Sequence, residues 1–286
     1  MSIAGLLFTA TIGFSQTATD HANTLFWKVT GKDATKPAYI YGTFHMLCPE
    51  DAKLADTLRQ VVSSCSSVYL ELDFDDPKMP KEIQAGMMMK NGRTWKDFTA
   101  VANYNRLDSG LKALAGLPAD AVCSIQPIAL ISMLYAPLMQ CQIVSVESQF
   151  AQLASEAQLP IHGLESVATQ LAIFDQIPIQ QQLEILEEYV LDKNKMRAET
   201  EELLQAYLAG DIDRVYEFVK KAEMEMEGLE EIMLTHRNKT WMSTFENNMK
   251  KAPTFYAVGA GHLGGENGVL ELLKKMGYTV SPIFIH

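Results

Sequence analysis

The apolar positions near the start of the chain predict a β-hairpin followed by a helix. The runs "LFWKVTG" (25–31) and "AYIYGTF" (38–44) are rich in aromatic and β-branched residues, and a polar turn separates them. Residues 50–64 carry apolar side chains at helical spacing and begin with acidic residues, which favours a helix. The next apolar run, "SVYLELD" (67–73), predicts a strand. The first unit is therefore predicted to read strand, GTFH loop, helix, strand.

The last part of the chain repeats this plan. The run "TFYAVGAGH" (254–262) predicts a strand that leads into Gly259 and His262. After a glycine-rich loop, "VLELLKKMG" (269–277) predicts a helix that ends at a glycine, and "YTVSPIFI" (278–285) predicts a final strand. Both units thus share the order strand, Gly-x-x-His, loop, helix, strand, although little beyond the glycine and the histidine aligns.

Most of the sequence between the two units has helical periodicity. Residues 145–158 predict a helix that leads to a short strand at 159–165, and amphipathic helices dominate a predicted insertion at about 176–250. The Gly-Asp pair at 210–211 predicts a break, because the glycine can end one helix and the aspartate can cap the next. The pattern predicts one α/β (α+β) domain over residues 21–286, with a central mixed β-sheet built from the two units and a large helical insertion.

Charge and the amino-terminal residues narrow the classes of partner and compartment. The formal net charge is −11 without a basic cluster, so binding to nucleic acid is not expected. Residues 2–15 are apolar and uncharged, too short for a membrane span, and similar to a secretory signal without its basic start. Residues 1–20 are therefore predicted to be a signal-peptide remnant, and the mature protein to be periplasmic or secreted without a membrane span. The alternative is a buried first helix.

The four cysteines leave the disulfide pattern open. They show no CxxC or zinc-knuckle spacing, so a thiolate metal site is not predicted. Cys123 could pair with Cys141 across an apolar segment, and Cys48 could pair with Cys65. Buried free thiols explain the sequence equally well, since an oxidising compartment is compatible with these cysteines but not required by them.

The two Gly-x-x-His sequences are the first candidates for chemistry. His45 follows "YIYGTF" and His262 follows "YAVGAG", so each histidine comes directly after an apolar strand. Ligand sites in open α/β sheets collect at the carboxyl ends of strands, and two neutral imidazoles that converge there suit a divalent transition metal. A single histidine in this position would more simply be a hydrogen-bonded loop or core residue. The matching pair favours a metal site.

Two carboxylates and an arginine could complete such a site. Glu71 lies in the apolar run "YLELD", where a carboxylate needs a metal, an arginine or a raised pKa. Glu165 follows the predicted strand in "HGLES", and Arg237 lies on a predicted helix in "THRNKTW". An arginine beside a metal can neutralise a carboxylate or stabilise an oxyanion. The competing interpretations are an edge-strand surface position for Glu71 and a helix surface position for Arg237.

Several of these segments resemble one known family. The segments "YIYGTFHM", "YAVGAGHLGGENGVLELLKKMGYTVSPI", "GLESVATQLAIFDQIPIQQQL" and "HRNKTWM" are similar to landmarks of the TraB/GumN family, which includes the Tiki metalloproteases. The resemblance covers about residues 25–283. It implies a compact α/β fold related to erythromycin-esterase-like and ChaN-like proteins.

The resemblance also implies which residues act. The positions that match the family's metal site are two histidines and a strand glutamate, His45, His262 and Glu71. Glu165 and Arg237 match further motif positions, and the family's frequent aspartate near position 147 is Glu147 here. The Tiki members are similar to manganese- or cobalt-type peptidases, which makes these two ions the expected metals.

The sequence therefore predicts an exported, metal-dependent hydrolase of the peptidase type, with a peptide or small-molecule substrate. His45, Glu71 and His262 would hold one divalent metal, whose bound water is activated because its pKa falls. Glu165, or Glu71 if it is not a ligand, would act as general base, and Arg237 would stabilise the anionic intermediate. The alternative is a non-catalytic protein that sequesters a peptide or a haem-like ligand in the same cleft.

Overall fold

The computed structural model describes residues 21–32, 36–225 and 228–285, and the predicted signal-peptide remnant at 1–20 lies outside them. In the described part of the chain the strands are Phe26–Thr30 (β1), Ala38–Thr43 (β2), Ser67–Leu70 (β3), Ile161–Gly163 (β4), Thr254–Gly259 (β5) and Thr279–Ile283 (β6). The helices are Asp56–Ser64 (α1), Met79–Gly86 (α2), Val101–Ala115 (α3), Ala119–Val122 (α4), Pro127–Met139 (α5), Val146–Glu156 (α6), Val167–Phe174 (α7), Ile179–Leu191 (α8), Lys193–Leu208 (α9), Ile212–Glu225 (α10), His236–Met249 (α11) and Val269–Lys275 (α12).

A six-stranded mixed sheet forms the centre of the fold, with the strand order β4-β3-β5-β2-β1-β6. The strands β2, β3, β4 and β5 run parallel to one another. β1 is antiparallel to both of its neighbours, so the predicted hairpin of β1 and β2 is confirmed. Because the parallel strands share one direction, the carboxyl ends of β2, β3 and β5 meet at the same edge of the sheet.

β5 lies at the centre of the sheet and is buried on both faces. Its sequence is therefore a continuous apolar run, as expected for a parallel strand that is covered on both sides. β5 pairs with β2 so that Gly259 lies opposite Thr43, and with β3 so that Ala257 lies opposite Leu70. The residues that directly follow these three strands are consequently close in space.

Helices cover both faces of the sheet. One face packs against α1, α6 and α9 around Leu58, Phe150 and Phe255. The other face packs against α11 and α12 around Trp241 and Tyr256. Phe255 and Tyr256 are consecutive on β5 and point into opposite layers, as strand alternation requires. The helices α3, α4, α5 and α8 bury a third apolar cluster among themselves.

The predicted α/β fold class is confirmed, although some element boundaries are different. α1 begins at Asp56 and not at residue 50, because the chain first makes a turn in which the N–H of Asp51 donates to the carbonyl of Cys48. β3 ends at Leu70, before Glu71, and lies between β4 and β5, so the edge-strand interpretation of Glu71 is wrong. β4 has only three residues and is shorter than predicted.

The predicted break in the helical insertion is confirmed. Gly210 has a φ of +71° after the end of α9, a conformation that favours glycine. Asp211 accepts a hydrogen bond at 3.0 Å from the backbone N–H of Arg214 and so caps α10. The helices α2, α3, α4 and α5 also lie within residues 79–139, in agreement with the helical periodicity of most of the sequence between the two units. No helix within the described ranges combines the length and the apolar character needed to cross a bilayer.

Cys48 and Cys141 form a disulfide with their Cα atoms 5.8 Å apart, while Cys65 and Cys123 are buried free thiols. Neither of the two pairings suggested by the sequence occurs. The chain instead brings together cysteines that are 93 positions apart. Distant pairings of this kind depend on the fold, and cysteine spacing does not show them.

The disulfide ties the loop after β2 to the segment before α6. Leu47 and Val144, one from each of these segments, pair as an isolated antiparallel bridge with backbone hydrogen bonds of 2.9 and 3.0 Å. Residue 45 lies three positions before Cys48 in the first segment, and α6 begins with Val146 in the second. The disulfide therefore holds the loop of His45 against the start of α6.

Replacing both Cys48 and Cys141 with serine is expected to lower the free energy of unfolding by about 2–4 kcal/mol, because the unfolded chain loses a long covalent loop. Urea unfolding of the oxidised wild type and of the double variant measures the difference. The control is treatment with a reductant, which should destabilise the wild type and leave the double variant unchanged. Equal unfolding midpoints for the two oxidised proteins would contradict the expectation.

Candidate functional site

The two Gly-x-x-His turns pack directly against each other at the carboxyl edge of the sheet. A Cβ atom on Gly42 would lie 2.9 Å from Cδ1 of Leu263 and 3.2 Å from Cα of Ala260. Gly259 has a φ of −51°, and Gly42 does not have a positive φ either. The glycines are therefore needed for close approach, and not for a left-handed backbone.

His45 is held by a buried carboxylate from the start of α6. Nδ1 of His45 donates to Oε1 of Glu147 at 2.7 Å, and the His45 side chain is 60% exposed, whereas the Glu147 side chain is 4% exposed. Glu147 also accepts hydrogen bonds from the hydroxyls of Thr43 and Ser145. Attraction by Glu147 raises the pKa of His45 to about 9. Burial acts against the Glu147 carboxylate, but His45 and Thr43 outweigh it and lower the pKa of Glu147.

His262 is buried and held in one tautomer by α11. Nδ2 of Asn238 donates to the carbonyls of His262 and Asn267, so Oδ1 of Asn238 accepts from Nδ1 of His262 at 2.6 Å. Nε2 of His262 must then accept, and it does so from Nη1 of Arg237 at 3.0 Å. Burial lowers the pKa of His262 to about 3, so the imidazole is neutral at neutral pH.

Glu71 is a buried carboxylate directly after β3. Its Oε1 accepts from the backbone N–H of Gly259 at 2.7 Å, and its Oε2 accepts from Nη2 of Arg237 at 2.5 Å. Burial by itself would raise the pKa of Glu71, but His262, Arg237 and the Gly259 N–H outweigh it and hold this pKa well below its usual range. Because His262 is neutral at neutral pH, Arg237 is the buried cation that balances Glu71, and the protonated His45 attracts the same carboxylate.

Arg237 joins Glu71 to Glu165. Nε and Nη2 of Arg237 donate to the Glu165 carboxylate at 3.0 and 2.6 Å, and Nη1 also donates to the carbonyl of Met233 at 3.0 Å. Nε2 of Gln170 donates to both carboxylates, at 3.2 Å to Glu71 and 3.1 Å to Glu165. Arg237 follows a π-helical turn, a feature that often occurs at functional sites. It is buried, so the helix-surface interpretation is wrong.

Atoms of the three predicted metal ligands lie within 3.6 Å of one point beside Gly259. A Cβ atom on Gly259 would lie 3.2 Å from Oε1 of Glu71, 3.6 Å from Nε2 of His45 and 3.6 Å from Cδ2 of His262. Nε2 of His262 is 3.8 Å from Oε1 of Glu71. The structure thus brings His45, Glu71 and His262 together, with Arg237 and Glu165 beside them.

The donor set suits a metal in its chemistry, but its atoms are not arranged as a metal site. As arranged, the described residues include no group of three or more His, Cys, Asp or Glu side chains that could hold a metal ion. Both imidazoles nevertheless direct Nδ1 to an oxygen acceptor, which is the way that metal-ligating histidines are oriented. Bonds of about 2.1 Å in a tetrahedral site place ligand atoms roughly 3.4 Å apart. The 3.8 Å between His262 and Glu71 is within a few tenths of an ångström of that value.

The family of the chain is shown by a comparison of its whole sequence. A sequence model of the TraB/PrgY/gumN family matches residues 25–282. This chain belongs to the TraB/PrgY/gumN family. The family resemblance predicted from the Gly-x-x-His segments is thereby confirmed.

The TraB/PrgY/gumN chain is also similar to three proteins named as Tiki metalloproteases. It is 22% identical to metalloprotease TIKI2 of Xenopus tropicalis over 90% of this chain and 59% of the relative. It is 22% identical to TIKI2 of Danio rerio, over 90% and 60%, and 23% identical to the TIKI homolog of Nematostella vectensis, over 91% and 67%. The chain spans about 60% of the length of the first two relatives. No solved structure matches it significantly.

A cavity of about 330 Å³ opens beside the site of this TraB/PrgY/gumN protein. The polar residues that line the cavity are His45, Glu71, Ser145, Glu147, Gln170 and Arg237. The apolar residues that line it are Leu72, Phe74, Ile173, Phe174 and Met233. Glu165 lies behind Arg237 and is not part of this lining.

Sequence reasoning missed the residues that orient the two histidines. Glu147 lies two positions after Ser145, which caps α6, so its carboxylate looks like ordinary helix capping. Asn238 lies on a helix, and no feature of the sequence marks its amide as buried beside His262. The one available signal was the family's aspartate at position 147, for which this TraB/PrgY/gumN chain has a glutamate.

Proposed function

We propose that this protein is a metal-dependent hydrolase of the peptidase type. The observation that carries the proposal is the convergence of His45, Glu71 and His262 on one point beside Gly259, at the edge of a cavity. The similarity to proteins named as metalloproteases supports the reaction class. The family match over residues 25–282 places both Gly-x-x-His segments within the matched region.

The ligands would be Nε2 of His45, Nε2 of His262 and a carboxylate oxygen of Glu71. The raised pKa of His45 means that a metal must displace a proton from its Nε2 at neutral pH. Two imidazoles and one carboxylate suit a divalent transition metal, and manganese and cobalt are the first ions to test. When bound, such an ion would polarise a substrate carbonyl and activate a water molecule. The lowered pKa of Glu71 keeps this carboxylate ionised and so available as a ligand at neutral pH.

Arg237 has two roles in the proposal. A metal ion and Nη1 of Arg237 cannot share the lone pair on Nε2 of His262, so metal binding requires Nη1 to turn away. The guanidinium lines the cavity, where it can donate hydrogen bonds to an anionic intermediate. Glu165 accepts hydrogen bonds from Nε and Nη2 of Arg237 and does not line the cavity, so its contacts favour a positioning role. A general-base role for Glu165 stays a prediction.

We also propose that the protein acts outside the cytoplasm. The Cys48–Cys141 disulfide supports this location, because such bonds persist in oxidising compartments and are rare in the cytosol. Measuring free thiols in protein prepared from a fractionated cell tests the location. Two free thiols, counted in denaturant without reductant because Cys65 and Cys123 are buried, and recovery from the periplasm or the medium are expected. Four free thiols in a cytosolic fraction would contradict the proposal.

The decisive experiment measures metal content and peptide cleavage for the wild type, His45→Ala and His262→Ala, with added manganese or cobalt. His162→Ala is the matched control, because His162 is exposed and its ring packs against Tyr69 away from the site. Both site variants are expected to lose metal and cleavage, while the control keeps them. If metal content and cleavage are unchanged in both site variants, the proposal is contradicted. Tight retention of a peptide or haem without cleavage would favour the sequestering alternative.

Replacing Glu147 with glutamine is expected to weaken manganese binding by about 10–100-fold, because Glu147 orients His45 through Nδ1. Glu156→Gln is the matched control, since Glu156 is an exposed glutamate at the other end of α6. Isothermal titration with manganese measures both affinities. Equal affinities for the two variants would show that Glu147 does not position the ligand.

A further inference from the structure

The apolar residues that line the cavity indicate what kind of substrate residue the site receives. We propose that Leu72, Phe74, Ile173, Phe174 and Met233 form a pocket for one large apolar side chain, aromatic or branched aliphatic, next to the scissile bond. This inference rests on the proposed function, because it names the substrate class of the same site. It has consequences for binding that hold even without turnover.

These five apolar residues, called the apolar wall below, lie close in the chain to polar residues of the site. On α7, Ile173 and Phe174 lie three and four positions after Gln170, and residues at these spacings share one face of a helix. Met233 precedes Arg237 by four positions, and its carbonyl accepts from Nη1 of that arginine. Leu72 directly follows Glu71 in the chain. A substrate atom near Arg237 and Glu71 is therefore within reach of the apolar wall.

Four of the five apolar side chains are only partly buried. Ile173 is 6% exposed, whereas Leu72, Phe74, Phe174 and Met233 line the cavity and keep part of their surface accessible. Apolar surface left in contact with water gains free energy when a ligand covers it. The wall thus has surface available for a substrate side chain without rearrangement of the core.

The charges of the cavity argue against a charged substrate residue in this pocket. His45 pairs with Glu147, and Arg237 pairs with Glu71 and Glu165. Every charged side chain in the described lining is therefore already paired with another. A substrate ammonium or carboxylate buried in the pocket would find no free counter-ion unless one of these pairs broke, and an uncompensated buried charge costs several kcal/mol. An apolar side chain leaves all of them intact.

The size of the cavity sets the scale of the occupant. Its volume of about 330 Å³ lies at the lower end of the range of roughly 300–1,000 Å³ that ligand pockets span. This space suits a single large side chain with part of its backbone, and not an extended lipid or a haem. The pocket is accordingly expected to bind the side chain at one position of a peptide.

A binding assay tests the pocket independently of catalysis. The probes are three peptides capped at both ends, Ala-Phe-Ala, Ala-Lys-Ala and Ala-Asp-Ala, titrated into the full chain and followed by nuclear magnetic resonance. The phenylalanine peptide is expected to bind at least about ten-fold more tightly than the other two. Equal affinity for all three peptides would overturn the inference.

Substitutions locate the binding. Phe174→Asp is expected to lower the affinity for the phenylalanine peptide by about ten-fold or more and to raise the affinity for the lysine peptide. The control is Phe284→Asp, which changes an exposed phenylalanine outside the cavity and should alter neither affinity. Phe74→Asp is the second pocket variant and should behave in the same way if Phe174→Asp does not fold. Pocket variants that bind like the wild type would overturn the inference.

Cleavage of a mixed peptide library with manganese separates this inference from the proposed function. Cleavage next to apolar residues in the wild type, shifted towards basic residues in Phe174→Asp, supports both. Cleavage with no apolar preference keeps the hydrolase and overturns the pocket. Selective binding of the phenylalanine peptide without any cleavage keeps the pocket and overturns the hydrolase.

Discussion

Replacing Arg237 with methionine is expected to lower the free energy of unfolding by about 3–5 kcal/mol, because the substitution leaves buried carboxylates without their cation. The Arg237, Glu71 and Glu165 side chains are 7%, 4% and 5% exposed, so water cannot take the place of the guanidinium. Methionine preserves most of the apolar length of the side chain, which confines the change to charge and hydrogen bonding. Urea unfolding of wild type and variant measures the loss.

Two further proteins make this measurement decisive. Arg214→Met removes an arginine from an ion pair with Glu202 in which both side chains are more than half exposed, so a loss of at most about 1 kcal/mol is expected. The triple variant Arg237→Met, Glu71→Gln, Glu165→Gln should regain part of the stability lost in Arg237→Met, since it no longer buries the two charges. A loss in Arg237→Met no larger than in Arg214→Met would contradict a buried charge cluster.

Replacing Gly259 with alanine is expected to weaken manganese binding by about 100-fold or more. The added Cβ would lie 3.2 Å from Oε1 of Glu71 and 3.6 Å from both Nε2 of His45 and Cδ2 of His262, so it occupies the space between the ligands. Outer positioning residues of metal sites already account for about 10–100-fold in affinity, and direct obstruction should exceed that range. Isothermal titration with manganese measures the loss, and circular dichroism confirms the fold.

Gly261→Ala is the matched control, because Gly261 lies in the same Gly-x-x-His turn. A Cβ there would lie 3.7 Å from Val219 and 3.9 Å from Leu234, which is ordinary van der Waals contact. The control is expected to bind manganese as the wild type does. Equal affinities for the wild type, Gly259→Ala and Gly261→Ala would show that any metal of this protein binds elsewhere.

The regular elements could be predicted because local patterns determine them. The apolar runs of β2 and β5, the amphipathic α12 and the Gly210 break all follow from spacing and from turn residues. The end of β3 could not be predicted, because Glu71 leaves the strand for contacts with Gly259 and Arg237 that come from distant parts of the chain. The disulfide was missed for the same reason.

The site was predictable only as far as its residues recur in a motif. His45 and His262 were found because each follows an apolar strand and a glycine, and Glu71 because a carboxylate in an apolar run needs a partner. Glu147 and Asn238 have no such mark, since their function is to hold a ring nitrogen that only the fold brings near. A sequence pattern shows which groups are chemically capable, and orientation appears with the structure.

The position of β5 between β2 and β3 has a consequence for biosynthesis. These neighbours are complete by residue 70, whereas β5 begins at residue 254, so a ribosome must add more than 180 residues before the sheet can close. Until then β2 and β3 of the nascent chain lack their shared neighbour, and unpaired apolar strand edges favour aggregation. Gly259 is the last residue of β5 and His262 follows three positions later. A nascent chain that ends before residue 262 therefore cannot assemble the site.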